Sequence, residues 1–394
     1  MAHQNKLAGH DRILIVLIYI FIVFALISIA GTHNTLGLIV LVWIAKMIRA
    51  KKWLIEKTPL DLAFLLFFTA CCVSTVFSVK PLESFIHLKN VLLIFVVYMI
   101  ASNVHEERQA VLAADIMVFL SAVLGILGLL TTDLTGGQRV RALQGTTMTW
   151  GAMSTIFILI TLSLFLFGKK DRKRWLYLAA FFAQLISLVF SYVRGSWIGF
   201  LAGLSVLAFL KSKKLLVGGL VLIMIVFLLA PAPIKHRILS ITDLSVNSTQ
   251  VRLTQWTNAV KIFKDYPIVG LGWIDLNEIH RAYAPPGADL NDYAYRIGHF
   301  HNNLIMFLLY FGVIGFLAGI YMIFKLIQTE YRLYRNIPGD KPQLSAWVIG
   351  SFAAMVGFWV NGMFDWTFGD AEPVTLLWFT VGLSLAVSRI ASNK

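Results

Sequence analysis

The chain has 394 residues, of which 58% are hydrophobic and only 14% are charged, and its formal net charge is +14. A soluble globular domain has roughly half apolar and about a quarter charged residues, so this composition excludes that class and predicts an integral membrane protein. Many apolar runs approach or exceed the roughly 18–20 residues that a helix needs to span hydrocarbon, and the alternation typical of membrane β-strands is missing. We therefore predict an all-α, polytopic integral membrane helical bundle.

Twelve apolar runs predict about twelve transmembrane helices. They lie at residues 13–31, 35–49, 60–78, 86–103, 110–131, 149–168, 175–193, 195–211, 215–232, 302–326, 345–365 and 373–391. The first run lacks a small-residue cleavage site, so we expect a retained helix and not a signal peptide. The longest polar stretch separates the ninth and tenth runs. We expect one membrane domain, residues 1–394, with residues 232–301 as a loop subdomain within it.

Most of the Lys and Arg residues fall in the loops of one face if the N-terminus is cytoplasmic. Basic loops are retained in the cytoplasm, so the long loop is expected to face outward, into the periplasm of a Gram-negative cell. The same retention explains the positive charge without a nucleic-acid partner, and we expect none.

Two arginines near the outer face are candidates for function. Arg194 lies in Ser-Tyr-Val-Arg-Gly-Ser-Trp, where two apolar runs meet almost without a loop, and an ionisable group in such a place is a functional candidate. A structural anchor is the alternative. In the long loop, an apolar stripe predicts an amphipathic helix with Arg252 off the stripe; the stripe is Leu253, Trp256, Val260 and Phe263. A packed surface helix with a solvated Arg252 is the alternative there.

The long loop closes with His299-Phe300-His301-Asn302, directly before an apolar run. Two alternating histidines suggest a metal, but no carboxylate cluster accompanies them in the sequence, so we predict no metal site. A lone histidine at a helix start is more often a cap than a base. The outer, membrane-level position and the expected arginines nearby favour His301 as a catalytic residue.

His301-Asn302, followed after nine residues by Gly312-Val313-Ile314-Gly315, resembles the H-[N/S/Q]-x9-G-x-x-G signature of bacterial O-antigen ligases. Three further segments fit that family's pattern: the Arg194 segment, Arg252 with the downstream Pro-Ile-Val-Gly-Leu-Gly turn, and Arg141-Ala-Leu-Gln-Gly. Twelve spans with one large outer loop also agree. Polysaccharide polymerases and protein O-oligosaccharyltransferases share the domain that contains these motifs, so the motifs indicate the superfamily better than the member.

The resemblance implies a membrane glycosyltransferase of the inner membrane with its active site at the periplasmic face. The expected reaction transfers O-antigen polysaccharide from undecaprenyl pyrophosphate to a sugar hydroxyl of lipid A-core, in lipopolysaccharide biosynthesis. It would proceed with inversion and without a metal or cofactor. The expected partners are this donor, this acceptor and membrane lipids.

The expected catalytic residues are His301 as general base and Arg194 and Arg252 as pyrophosphate ligands. Arginine suits that role because its planar fork binds phosphate oxygens bidentately and stays charged. The expected substrate-binding residues of second rank are Arg141, Lys89, Asn302 and His299.

Two other functions remain open from the sequence. An O-antigen or exopolysaccharide polymerase would use a second lipid-linked glycan as acceptor. A transporter for a lipid-linked sugar would place polar groups and broken helices near the bilayer midplane, whereas the distinctive charges here gather at one face.

Overall fold

The computed structural model describes residues 2–134, 137–229, 231–240, 243 and 247–392, and every regular element in these residues is a helix. The predicted all-α class is confirmed. In chain order the helices are α1 (Ala2–Ile27), α2 (Ile29–Ala50), α3 (Asp61–Val76), α4 (Pro81–Val91), α5 (Phe95–Asn103), α6 (Glu107–Thr131), α7 (Thr147–Phe167), α8 (Lys173–Phe190), α9 (Arg194–Leu210), α10 (Lys214–Leu229), α11 (Ala232–Leu239), α12 (Asn247–Asp265), α13 (Asn277–Ala282), α14 (Asn303–Asn336), α15 (Pro342–Asn361) and α16 (Ala371–Ser392). A 3₁₀ turn at Leu92–Ile94 joins α4 to α5.

Within the described part of the chain, nine helical segments are long and apolar enough to cross a membrane: α1, α2, the joined α4–α5, α6, α7, α8, α14, α15 and α16. The protein is therefore a multi-pass helical membrane protein. Three apolar helices of 16, 17 and 16 residues, α3, α9 and α10, fall on the third, eighth and ninth predicted spans but are shorter than a full span. The count of twelve stays a prediction, as does the periplasmic side of the long loop.

Helices α7, α9 and α15 pack against one another in the middle of the bundle. Glycines permit the close approach of α9 and α15: a Cβ on Gly199 would lie 2.6 Å from the carbonyl oxygen of Gly357. Small residues at a crossing let helix backbones touch in a membrane, where no hydrophobic force drives them together. This contact fixes the N-terminus of α9, which begins at Arg194, against the C-terminal end of α15.

The connection between α8 and α9 is only three residues long. Tyr192 closes it with a left-handed backbone, φ 58°, which is uncommon for a residue other than glycine. The tight turn makes Arg194 the first residue of α9 and places it at the end of the bundle where the long loop lies.

Helix α14 is broken at Gly312, which adopts φ 61° and ψ −166°. The segment Pro267–Gly272 of the long loop fits into this break. Backbone hydrogen bonds run from Leu271 N to Leu309 O (2.9 Å), from Gly272 N to Tyr310 O (2.9 Å) and from Val313 N to Pro267 O (2.8 Å). A Cβ on Gly312 would lie 2.2 Å from the carbonyl oxygen of Ile268. Gly312 is thus required by backbone conformation and by contact with the loop, and the loop is hydrogen-bonded to the bundle.

Helix α12 of the long loop is amphipathic, but the buried face is not the predicted one. The buried residues are Val251, Gln255, Asn258, Ala259 and Ile262, whereas Leu253 and Val260 are 39% and 58% exposed. The stripe predicted a helix that lies on the membrane or on the mouth of the bundle, and that placement stays a prediction. The face that α12 buries in the protein is a different one, and it turns polar Gln255 toward the end of the loop that holds the histidines.

Candidate active site

His301 and Asp365 form a hydrogen-bonded pair at the mouth of the bundle. His301 precedes α14, and Asp365 lies between α15 and α16; the distance from His301 Nδ1 to Asp365 Oδ1 is 2.9 Å. Both side chains are largely enclosed, with exposed fractions of 7% and 14%. A carboxylate on one ring nitrogen fixes the imidazole tautomer and leaves Nε2 as the proton-accepting nitrogen.

Asp365 is held as an ionised carboxylate. Burial alone would raise its pKa, but the hydrogen bond with His301 and the Coulomb interactions with His301 and His299 hold the pKa below its ordinary value. The backbone N–H of Trp366 also donates to Oδ1, at 2.9 Å. The carboxylate therefore stays charged at neutral pH and orients His301.

Gln255 of α12 positions the backbone around the two histidines. This fully buried side chain accepts a hydrogen bond from His301 N (3.3 Å) and donates one to His299 O (3.4 Å). The long loop therefore contacts the candidate base directly, through a side chain that the apolar pattern of α12 did not predict to face inward.

Four arginines converge beside the histidine–aspartate pair. Arg139, Arg194, Arg237 and Arg252 all line one cavity of about 130 Å³, together with Asp365. Burial, together with the positive charges of the other three arginines, lowers the pKa of Arg237 to about 10. Burial also lowers the pKa of Arg252, although the charge of Asp365 opposes this effect. Four cations that repel one another around a small cavity make a site that favours an anion.

The two predicted arginines use most of their donors within the protein. Arg252 donates from Nε and Nη2 to the carbonyl oxygen of Phe364 (3.1 and 2.9 Å) and from Nη1 to Ser248 O (3.0 Å). Arg194 donates to Ser240 O, to Ser248 Oγ (2.9 Å) and to Thr249 Oγ1 (3.1 Å). Both side chains therefore connect the loop to the bundle by hydrogen bonds, and both also contribute positive charge to the cavity.

Arg139 and Arg237 were not among the predicted site residues. Among the described residues, Arg237 of α11 donates only to the carbonyl oxygen of Tyr192, from Nε at 3.1 Å, so its two Nη groups are available to a ligand. Arg139 lies in the connection before α7, two residues from the predicted Arg141, and only the fold shows which of the two lines the cavity. Asp365 was missed as well; the available signal was a carboxylate in Phe-Asp-Trp at the end of the eleventh apolar run.

The four predicted residues of second rank lie in different places. Arg141 is exposed, donates to Gly145 O at 3.1 Å and does not line the arginine cavity, and Lys89 lies exposed on α4. Asn302 caps α14, because its side chain accepts from Leu304 N and Ile305 N and donates to Met363 O (2.9, 3.1 and 3.0 Å). His299 is the one whose ring approaches His301, with ring centroids 5.2 Å apart.

Three possible metal ligands lie close together in the site: His299, His301 and Asp365. One ligand atom from each lies within 4.8 Å of those of the other two. Sequence analysis missed this grouping because Asp365 is remote in the chain. The hydrogen bond between His301 and Asp365 already uses one donor atom of each. Burial and the charge of His301 lower the pKa of His299, so its ring is neutral at neutral pH.

Residues 179–320 match the O-antigen ligase family. The match covers 142 of the 394 residues, and this part of the chain is similar to the O-antigen ligase domain. The matched range contains Arg194, Arg237, Arg252 and His301, whereas Arg139 and Asp365 lie outside it. The match supports the predicted O-antigen ligase family and the wider ligase and polymerase superfamily.

No curated protein sequence matches the chain. A solved structure from a study of "Structural coordination of polymerization and crosslinking by a peptidoglycan synthase complex" is 16% identical, with a TM-score of 0.47. That overlap covers 87% of this chain and 100% of the other.

Proposed function

We propose that this O-antigen ligase family member transfers O-antigen polysaccharide from undecaprenyl pyrophosphate to a sugar hydroxyl of lipid A-core. The observation that carries the proposal is the position of the His301–Asp365 pair directly beside a cavity lined by four arginines. Such a pair can take a proton from a hydroxyl, and such a cavity can hold a pyrophosphate. Glycosyl transfer from a lipid pyrophosphate needs both.

His301 acts as the general base. Asp365 accepts a hydrogen bond from Nδ1–H, directs Nε2 toward the acceptor hydroxyl, and stabilises the imidazolium that forms when Nε2 takes the hydroxyl proton. General base catalysis contributes about 10²–10⁴ in rate. The arrangement explains why a carboxylate is needed next to the histidine.

The arginines stabilise the leaving group. Arg237 donates from its two Nη groups to the pyrophosphate oxygens, Arg139 adds positive charge to the cavity, and Arg194 and Arg252 add charge and hold the loop. Removing one such donor from a preorganised site typically costs about 10²–10³ in kcat. Arginine stays charged in this enclosed cavity, where lysine would more readily lose its proton.

The reaction balances in one displacement. The acceptor oxygen forms a bond to the anomeric carbon as the bond from that carbon to the pyrophosphate oxygen breaks. The hydroxyl proton passes to Nε2 of His301, and undecaprenyl pyrophosphate leaves as an anion. Attack from the face opposite the leaving group inverts the anomeric configuration.

We place the enzyme in the inner membrane with this site at the periplasmic face. The support is the distribution of basic loops, which favours a cytoplasmic N-terminus. We also propose a metal-independent reaction, supported by the hydrogen bond between two of the three possible ligands. Full activity after prolonged EDTA treatment is expected; activity that EDTA removes and a single divalent cation restores would contradict it.

The test of the ligase proposal uses His301→Ala in cells that lack their own ligase. We expect normal protein abundance in the membrane and loss of the polymer ladder on lipopolysaccharide. His33→Ala is the matched control, because His33 is exposed on α2 and far in sequence from the site. A normal ladder from His301→Ala would overturn the base assignment.

Purified protein with lipid-linked O-antigen and rough lipopolysaccharide separates the two members of the superfamily. A ligase yields polymer on lipid A-core and leaves the carrier-bound chain length unchanged. Longer carrier-bound chains without transfer to lipid A-core would show a polymerase instead.

A further inference from the structure

Helix α12 has an apolar face that the described part of the protein does not cover. Leu253 and Val260 are exposed, and Trp256 and Phe263, which belong to the same face, are partly exposed. At about 100° per residue, these four side chains share an arc of about 80° around the helix. We call them the outer stripe, and they point away from the face that α12 buries in the protein.

The two faces of α12 are the reverse of those of a surface helix in a soluble domain, which turns its apolar stripe to the core. The buried face of α12 includes the polar side chains of Gln255 and Asn258. Basic residues border the outer stripe: Lys264 and, farther around the helix, Lys261 on one edge, and Arg252 on the other. An apolar stripe with basic residues beside it is typical of a helix that lies in the plane of the membrane interface.

The loop beyond α12 reaches the part of α14 that spans the membrane. Residues 304–324 of α14 are all uncharged, and Ile314 lies about 15 Å along the helix from the first of them. Its backbone N–H donates to the carbonyl oxygen of Ile268 at 3.3 Å. Ile268 is 62% exposed, beside the exposed side chains of Ile314 and Leu317, which contact lipid in a spanning helix. Because α12 ends at Asp265, three residues before Ile268, its C-terminal end is held at the surface of the bilayer.

The outer stripe also borders the arginine cavity. Leu253 and Trp256 belong to the stripe and line that cavity as well. Ile198, which lies one turn into α9 from Arg194, is a third apolar lining residue and is partly exposed. The positive charge of the cavity therefore lies next to apolar side chains that face out of the protein.

We propose that α12 is an interfacial helix, whose outer stripe lies among the lipids of the membrane that the bundle spans. The inference follows from the exposure and position of α12 and does not depend on the reaction proposed above. It adds to that reaction a route for the donor, since an anion attached to a lipid reaches the arginine cavity from the side, at the level of the headgroups. That addition alone rests on the proposed function.

The test measures what surrounds the outer stripe in the full-length protein without substrate, at one copy per nanodisc of phosphatidylethanolamine and phosphatidylglycerol. A nitroxide label is attached to Val260→Cys or to Ile268→Cys, in a background where Cys71 and Cys72 are replaced by alanine. Lys261→Cys is the matched control, because Lys261 is also exposed and is adjacent to Val260 but about 100° around the helix. Molecular oxygen concentrates in acyl chains and a nickel chelate stays in water, so the two reagents report whether each label contacts lipid.

Labels at Val260→Cys and Ile268→Cys are expected to be more accessible to oxygen than to nickel, and the label at Lys261→Cys should show the reverse. Two positions are used so that poor folding of one variant leaves the other. The proposal is overturned if both labels are more accessible to nickel. It is also overturned if both are shielded from the two reagents, because protein then covers the stripe. Labels that face water at one copy per nanodisc and are shielded at two copies would show that a second copy is the occupant, which overturns it as well.

Transfer assays separate this proposal from the proposed function. Val260→Asp puts a charge on the outer stripe, and Thr257→Asp puts the same charge on an exposed position beside it. Charge among lipids is unfavourable, so Val260→Asp should lower kcat/KM for a lipid-linked donor severalfold while Thr257→Asp changes it little. Equal activity of the two variants would overturn the route for the donor.

The two proposals can fail independently. If the labels report lipid contact and the wild type transfers no glycan, the interfacial placement of α12 stands and the ligase proposal fails. If the wild type transfers glycan while the labels at Val260→Cys and Ile268→Cys face water, the ligase proposal stands and the interfacial placement fails.

Discussion

Replacing Asp365 with asparagine separates the charge of this residue from its ability to orient His301. Oδ1 of Asp365 accepts two hydrogen bonds, from His301 Nδ1 and from Trp366 N, both at 2.9 Å. A backbone N–H can only donate, so asparagine must place its carbonyl oxygen, and not its amide nitrogen, at that position. Asp365→Asn therefore keeps the Nδ1–H tautomer of His301 and loses only the negative charge.

The magnitude follows from the two kinds of hydrogen bond. A bond to a charged partner contributes about 1.5–3 kcal/mol and a neutral one about 0.5–1.5 kcal/mol, so imidazolium formation loses about 1–1.5 kcal/mol. At 1.36 kcal/mol per tenfold, kcat should fall by about 5- to 15-fold. Asp365→Ala removes the hydrogen-bond acceptor altogether and frees the His301 ring to turn. We expect kcat to fall by up to the whole general-base contribution, about 10²–10⁴.

The assay is glycan transfer by purified protein with saturating donor and acceptor, compared between Asp365→Asn, Asp365→Ala and Asp289→Asn. Asp289 is the matched control because its exposed carboxylate also accepts a backbone N–H, from Asn291 at 2.9 Å, without contacting the site. The control should keep wild-type kcat. If Asp365→Asn is as slow as Asp365→Ala, the tautomer argument is wrong. If Asp365→Ala stays within about threefold of wild type, Asp365 has no part in orienting the base.

Three further predictions test the cavity, the loop anchor and the loop itself. Arg237→Gln should raise the Tm of the protein without ligand, because three like charges repel Arg237 when the cavity is empty. The variant should also lose most of the rise in Tm that added pyrophosphate gives the wild type, because it lacks one phosphate ligand. An equal rise in Tm with pyrophosphate in both proteins would contradict this. Gly312→Ala should greatly reduce folded protein in detergent, because alanine disfavours φ 61° and collides with the Ile268 carbonyl, whereas Gly37→Ala, with nothing within 4 Å, should be neutral. Burial lowers the pKa of His280 to about 4, so folding favours the neutral ring. The free energy of unfolding keeps this contribution in full above about pH 6.5 and loses it as pH falls toward 4, by about 2 kcal/mol at pH 5. His280→Phe should flatten the fall of Tm over this range, and an equal fall in both proteins would refute the prediction.

The order of the helices could be predicted from the sequence because hydropathy directly reports which runs are long enough for the membrane. The residues at which helices begin and end were harder to predict than their order. The predicted first span, 13–31, runs past Ser28, the single residue that separates α1 from α2, and the predicted gap at residues 32–34 lies inside α2. Ser28 caps α2 by accepting from Gly31 N at 3.1 Å. A lone serine inside an apolar run gives no hydropathy signal, so only its capping chemistry marks the boundary.

The site could be predicted only where a local motif marked it. His301 and Arg252 were found because each lies in a recognisable pattern of neighbours. Arg139 and Arg237 lie in connections beyond the apolar runs and Asp365 is the last residue of one, and none of the three stands in a recognisable pattern of neighbours. Their convergence on one cavity depends on three connections far apart in the chain, and no local pattern carries that information.

The spacing within the family signature also has a structural reason. The nine residues between Asn302 and Gly312 form one helical stretch of α14, about 14 Å long, with His301 at one end and the loop anchor at the other. The long loop is thus fixed at Gly312 by backbone hydrogen bonds and at Phe364 by Arg252. Two anchors therefore hold α12 beside the His301–Asp365 pair. They fix the side chain of Gln255 against the backbone of His301 and the side chain of Arg252 in the cavity that Asp365 also lines, so one loop helix positions both the base and part of the positive charge.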